Sequence, residues 1–301
     1  MRLLHCLPSL RVRGETTDEI TAGAMSLRSR MMRIEAPDDA VDTCGTGGDA
    51  KGTHNISTTV ALVVAGCGVP VAKHGNRGLT SQSGSADVLT ELGVKIDAPL
   101  DRLSSVLNEA GICFMMAPRH HGAMKHVAAP RIELGTRTIF NLLGPLANPA
   151  GVKYQVVGVF APEWVEPLAH VLGRLGAKHA WVVHSRDGLD EISTTASTLV
   201  AEWDGRNVRK FEITPEEVGL HRVQLKDIEG GEPAFNAAAI RRTLQGEAGP
   251  LRDIVLFGSA AVLLVAGKAA SLVEGVTQAA ASIDDGAAQS SLDRLIAATN
   301  R

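Results

Sequence analysis

Short apolar runs and longer amphipathic stretches take turns along most of the chain, and glycine closes several of the stretches. Residues 69–73 and 112–116 are compact, mostly apolar runs that predict strands, and Val41-Asp42-Thr43 is a plausible first strand before them. Between them, 56–65, 85–92 and 100–110 carry helical spacing and stop at Gly66, Gly93 and Gly111. Upstream, Thr16 and Glu19 form a capping box, and the helix they start carries Ile20, Ala24, Leu27 and Met31 on one face until Pro37-Asp38-Asp39. Residues 118–149 are helical in pattern and dense in His, Arg and Pro. The alternation then resumes, with strands at 154–160 and 180–184 around a helix at 163–175. Residues 197–203 and 208–213 flank Asp204-Gly205 as a hairpin, and Ala-rich helices follow from Pro233, of which 254–266 is aliphatic enough to cover a sheet. Strand–helix–strand order with glycine at helix ends predicts an α/β fold with a mainly parallel central sheet flanked by helices. No internal repeat or low-complexity linker interrupts it.

Two glycine-punctuated loops stand out from this pattern. One is Gly45-Thr46-Gly47-Gly48-Asp49, with Asn55-Ile56-Ser57-Thr58 opening the helix behind it; the other is Lys73-His74-Gly75-Asn76-Arg77, followed by Ser81, Ser83 and Ser85. In a parallel sheet both loops emerge at the same end. A single loop of this kind is commonly a tight turn, and neither GxGxxG nor GxxxxGK[ST] is present. Paired, they make a phosphate site: backbone N–H groups, hydroxyls and a helix N-terminus on one side, fixed cations on the other.

Composition narrows the partners. The 301 residues are 45% hydrophobic and 21% charged, with aromatics at 3% and a single tyrosine, Tyr154, so the core must be aliphatic. A net charge of −3 supplies no general attraction to nucleic acid or anionic lipid, so any anion recognition is local. Cys6, Cys44, Cys67 and Cys113 show no CxxC or zinc spacing, which suits buried thiols in a reducing cytoplasm. Cys44 abuts the first loop, where small-residue packing competes with a reactive thiolate. Residues 1–10 make no signal peptide, Gly66, Gly68 and Pro70 cut the uncharged stretch 55–72, and 254–267 is too short to span, so no membrane association is expected.

The motifs GTGGD, NIST, KHGNR, SGSADVL, MKHVAAPRIELGTRTIFNLLGPLANP and DGLDE, in this order and spacing, resemble the anthranilate phosphoribosyltransferase family from about Val12 to the C-terminus. The resemblance implies transfer of phosphoribosyl from phosphoribosyl pyrophosphate (PRPP) to the amine of anthranilate, a step of tryptophan biosynthesis, with Mg²⁺ as cofactor. It implies a small helical domain, 1–38 with 130–148, and a large α/β domain, 39–129 with 149–301. Family members carry further N-terminal helices, so a misplaced start or a trimmed small domain is expected here, and the family's homodimer forms through that domain. PRPP is implied to meet Gly45, Gly48, Asp49, Thr53, Asn55, Ile56, Ser57 and Thr58, the loop Lys73, His74, Gly75, Asn76, Arg77, Gly78, Leu79, Thr80 and Ser81, and Ser85. Thr80 stands where the family usually has Ser, with the hydroxyl retained.

Asp190 and Glu191 are the Mg²⁺ candidates. An acidic turn is commonly just solvated, but this one follows a strand at the loop-bearing edge, and the family uses Asp-Glu there with Ser57 as an added ligand. Arg131 matches the family's carboxylate-binding guanidinium, suited to a bidentate pair. Gly45, Asn76, His74, His121 and Pro145 complete the implied anthranilate pocket. His120-His121 with His126 lacks the His-Glu-x-x-His pattern of a metal site; His120 and His126 are expected to be structural, and Arg137 could be a helix-surface ion pair. No residue stands out as an acid or base. Two other readings compete: a pyrimidine-nucleoside phosphorylase of the same fold, whose Arg-x-Ser-x-x-x-Lys pattern is missing between Pro118 and Pro149, and a non-catalytic nucleic-acid-binding relative, which needs a basic surface.

Overall fold

The computed structural model describes residues 2–78 and 82–301. Two helices, α1 (Arg2–Arg13) and α2 (Thr17–Arg28), lead into β1 (Val41–Gly45), α3 (Ile56–Gly66), β2 (Val71–Gly75), α4 (Ser85–Glu91), α5 (Leu103–Ala110) and β3 (Ile112–Met116). A helical stretch follows, α6 (Ala117–His120), α7 (Lys125–Leu134) and α8 (Phe140–Leu143), and then β4 (Tyr154–Gly158), α9 (Val165–Arg174), β5 (His179–Ser185) and the hairpin β6 (Thr198–Trp203) and β7 (Val208–Ile213). Four helices end the chain: α10 (Pro233–Leu244), α11 (Pro250–Val265), α12 (Leu272–Asp284) and α13 (Ala287–Thr299).

The strands lie in the order β3-β2-β1-β4-β5-β6-β7, with β3 to β5 mutually parallel and β6 and β7 antiparallel. The chain winds outward from β1 to β3 and then returns to β4 on the other side of β1. Strand order therefore reverses between β1 and β4, where Gly45 and Gly158 are register partners. A crevice at the carboxyl ends of the strands opens at such a reversal. The expected α/β architecture is present.

Most element positions follow the sequence pattern, with departures at several element ends. β1 and β2 run to Gly45 and Gly75, each two residues beyond the predicted end, and β2 holds Lys73 with its side chain buried. α2 ends at Arg28 with Ser29 as its cap, while Met31 is buried just past the helix. The strand predicted to reach 160 stops at Gly158. The capping box at Thr16 and Glu19 is formed, with Glu19 N–H donating to Thr16 Oγ1 at 3.2 Å.

Two apolar clusters sandwich the sheet. One gathers α3, α11 and α13, with Phe257 and Leu62 fully buried; side chains of this size each contribute about 1.5–3 kcal/mol when buried. The other joins Ile20 and Ala24 of α2 and Leu142 and Leu143 of α8 to Val157 of β4 and Leu168 of α9. Arg28 closes this second cluster: its guanidinium donates to the carbonyls of Leu146 at 2.7 Å and Leu175 at 2.9 Å. α7, by contrast, has no buried residue, and residue 130 lies inside it. No helix among the described residues is long and apolar enough to cross a membrane.

Candidate active site

The crevice between β1 and β4 is filled by an acidic turn. Gly47 N–H donates to Asp190 Oδ2 at 2.8 Å. A Cβ on Gly45 would stand 2.5 Å from the same oxygen, and one on Gly158 only 1.5 Å from the Asp190 carbonyl. Two glycines at the strand ends thus let the turn sit directly on the sheet edge. Asp187 shapes the turn, accepting from Leu189 N–H at 3.1 Å, from Ser193 Oγ at 3.0 Å and from Thr195 Oγ1. Burial alone would raise Asp187, but these bonds hold it below the usual carboxylate range.

The carboxylates of buried Asp190 and half-buried Glu191 crowd together without a full complement of positive charge. Burial, with Asp49 and Glu191 nearby, pushes Asp190 well above its ordinary value. Burial lifts Glu191 to about 7 against the pull of Lys73, and Glu191 Oε1 accepts from Ser57 N–H at 3.2 Å. Crowded like charges of this kind are relieved by a cation, and all-oxygen donors suit Mg²⁺. Among the described residues no set of three His, Cys, Asp or Glu side chains converges as a metal cage. Asp190, Glu191 and the Ser57 hydroxyl fit Mg²⁺ only as part of a shell completed by substrate and water.

The start of α3 is held from several directions. Asn55 Nδ2 donates to the Ser83 carbonyl at 2.9 Å, and its Oδ1 accepts from Ser83 Oγ at 3.0 Å and Asn236 Nδ2 at 2.9 Å. The side chain expected on a phosphate is thus engaged in joining the two loops to α10. Thr53 bridges to Glu229, and Ile56 and Thr58 are buried. Ser57 is left as the partly open hydroxyl of this turn.

Lys73 does not line the open loop. It is 2% exposed, and Nζ donates to the Thr43 carbonyl at 2.7 Å. Burial lowers its pKa while Asp42, Cys44 and Glu191 oppose the shift. Asp42, fully buried in β1, accepts from His74 N–H at 3.2 Å and Asn148 Nδ2 at 2.8 Å, so it fastens the second loop to the segment before β4. Beyond it, Arg77 pairs with Asp87 at 2.8 Å, and Asp87 also accepts from Gly78 and Gly84 N–H at 2.8 and 3.0 Å. Ser85 Oγ donates to the Asn76 carbonyl at 3.2 Å, and a Cβ on Gly84 would come within 2.1 Å of Gly78 N. Gly75 packs as tightly, 2.3 Å from Ser85 Oγ by the same measure. Leu79, Thr80 and Ser81 lie outside the described residues.

On the acceptor side, His74 and His121 meet edge to face with Nε2 atoms 3.2 Å apart. Burial, then His121 and His120, lowers His74 to about 3, so it is neutral at physiological pH. Pro145 is buried, its carbonyl accepting from Gln155 at 3.1 Å. Arg131, on α7, stands 5.8 Å from the Phe140 ring centroid and pairs with no carboxylate among the described residues. His120 is structural, its Nδ1 on the Met32 carbonyl at 2.7 Å. His126 is exposed and holds no partner among the described residues. Arg137 is no surface ion pair: it donates to the Gly48 carbonyl and stacks on Phe160. Cys44 is a packing residue, its thiol pushed well above the ordinary value by burial and Asp42.

Comparisons with known proteins agree with this geometry. The glycosyl transferase family, a/b domain, matches residues 37–289. An anthranilate phosphoribosyltransferase from Paramagnetospirillum magneticum is 60% identical over 295 residues, covering 98% of this chain and 85% of the relative. The chain belongs to the anthranilate phosphoribosyltransferase family. Among solved members of that family, the Thermus thermophilus enzyme superposes with a TM-score of 0.95 at 45% identity, covering 100% of this chain and 90% of the other. The Saccharomyces cerevisiae anthranilate phosphoribosyltransferase, solved in complex with PRPP and Mg, gives a TM-score of 0.91 at 28% identity, covering 99% and 85%. All three relatives carry the name anthranilate phosphoribosyltransferase, not that of a pyrimidine-nucleoside phosphorylase.

Proposed function

We propose that this protein transfers the phosphoribosyl group of PRPP to the amine of anthranilate, releasing pyrophosphate, with Mg²⁺ as cofactor. The observation that carries the reading is the acidic turn of Asp190 and Glu191 wedged between Gly45 and Gly158, beside a loop rich in N–H donors. Such transfers pass through an oxocarbenium-like state, so charge management and positioning dominate over covalent chemistry. The loops at Gly45–Ser57 and Asn76–Ser85 hold the phosphates through backbone and hydroxyl donors. When bound, Mg²⁺ would neutralise the charge gathering on the departing pyrophosphate.

Arg131 binds the carboxylate of anthranilate, and the neutral His74 and His121 border the ring without adding a rival cation. The amine attacks with its own lone pair, so no side chain is needed as base. Loss of anthranilate fluorescence on mixing with PRPP and Mg²⁺ tests the proposal; a protein that leaves the signal unchanged refutes it.

The helical part, 1–38 with 130–148, closes over the α/β part to bring Arg131 to the loops. Small-angle scattering should show compaction with both substrates, and an unchanged radius of gyration argues against closure. Exposed Val12, Met25 and Ile132, on α1, α2 and α7, support a homodimer through this helical part. Light scattering on wild type and Ile132→Glu decides it, a monomeric wild type counting against the dimer. Free thiols at all four cysteines suit the cytoplasm; fractionation of the native cells checks that assignment.

A further inference from the structure

Arg137 sits six residues beyond the guanidinium assigned to the acceptor, yet it reaches the other substrate's loop. It donates to the carbonyl of Gly48, and its Cζ stands 4.3 Å over the Phe160 ring. Phe160 is tied to the same loop, its N–H donating to Thr46 Oγ1 at 3.0 Å. A hydrogen bond from one edge and stacking on one face together fix a planar guanidinium.

Peptide geometry gives this contact a consequence. The peptide joining Gly48 to Asp49 is trans, like the others among the described residues, so its carbonyl and N–H point in opposite directions. With the Gly48 carbonyl drawn to Arg137, the Asp49 N–H points away from it. Among the described residues no acceptor is paired with that N–H, whereas the neighbouring Gly47 N–H is taken by Asp190. Gly47 and Gly48 have φ of +69° and +84°, a left-handed conformation that glycine adopts and leaves easily, so the peptide needs an anchor to hold one orientation.

We infer that Arg137 is a positioning residue that locks the Gly48–Asp49 peptide with its N–H presented to PRPP, and so ties that loop to the segment carrying Arg131. The inference rests on the transferase reading and adds a residue to its machinery.

Steady-state kinetics of Arg137→Met and Arg137→Lys, with each substrate varied in turn, test it. Losing a charge-assisted anchor should raise the KM for PRPP about tenfold in Arg137→Met, while the KM for anthranilate at saturating PRPP and the Tm stay near wild type. Arg137→Lys should recover part of the PRPP affinity, since an ammonium keeps a charged donor toward the carbonyl but loses the planar stack on Phe160. Phe160→Leu should move the PRPP KM in the same direction by less. An unchanged PRPP KM in Arg137→Met overturns the inference. So does an equal rise in both KM values with Lys no better than Met. If the wild-type protein itself consumes no anthranilate, the transferase reading fails instead. Calorimetric titration of inorganic pyrophosphate with Mg²⁺ into wild type and Arg137→Met then decides the loop's role, and equal affinities sink it.

Discussion

The two sides of the crevice are built by opposite means. On the PRPP side, loops are pinned by buried or half-buried polar residues: Asp42 under His74, Asp87 under Gly78 and Gly84, Asn55 between Ser83 and Asn236. On the acceptor side, Arg131 rides on a helix with no buried residue and an internal Pro130. The first side is formed before substrate arrives; the second has little holding it in one place. Rigid donors serve a charged ligand whose every oxygen must be met, while a lightly packed helix serves a step that requires closing over a small ring.

The largest expected effect comes from breaking the rigid side. Gly158→Ala would drive a Cβ into the Asp190 carbonyl at 1.5 Å and displace the acidic turn. A shift of that size should lower kcat by about a hundredfold or more and destabilise the fold by about 1–3 kcal/mol. Turnover and a denaturation curve check both, and near-normal turnover would show that the turn tolerates movement. On the loose side, Arg131→Ala should cost about 1.5–3 kcal/mol in anthranilate affinity and leave both the PRPP KM and the Tm nearly unchanged. Equal rises in both KM values would mean that Arg131 does not act on the acceptor alone.

A pH effect sharpens the contrast at the border of the two sides. His74 is held neutral by burial, with His121, His120 and Lys73 as like charges around it, and its value falls to about 3 from 6.5. The folded protein therefore binds fewer protons there than the unfolded chain between those values. Stability from this group is complete above pH 6.5 and is lost as pH falls toward 3, by up to about 1.4 kcal/mol per unit. Denaturant midpoints at pH 7.5, 6 and 5 should decline, and less steeply for His74→Asn; parallel declines would remove His74 as the cause. The smallest effect belongs to Ala50, a non-glycine residue at φ 57° in the first loop. Ala50→Gly should relieve strain and stabilise by no more than about 1 kcal/mol, with no change in the PRPP KM. A loss of stability would mean that the methyl group packs.

Much of this was legible in the sequence because it depends on local pattern. The strands, the glycine loops and the acidic turn at 187–191 follow from periodicity and turn chemistry, and the motifs named the family. The sequence offers Lys73 both as a strand end and as a loop cation; the strand continues to Gly75, so the lysine sits within the sheet with its side chain buried. Asp42 gave a signal that went unused, a charge in the middle of a buried strand, which is rare unless paired. Asp87 gave another, an acid in the first turn of a helix that follows a glycine loop. Asn148, Asn236 and Arg137 gave none, since their partners lie far along the chain and only the folded topology brings them together.

Arg28 has a bearing on how the protein is made. Its two acceptors lie 118 and 147 residues downstream, and both are main-chain carbonyls of later elements. While the chain is still leaving the ribosome, α2 can coil but has nothing to dock on. Its guanidinium and the apolar face with Ile20 and Ala24 stay in water until Leu175 has emerged. An element synthesised before the sheet is thus among the last to settle. Arrested nascent chains ending before and well after Leu175 should differ sharply in protease resistance around residues 17–28.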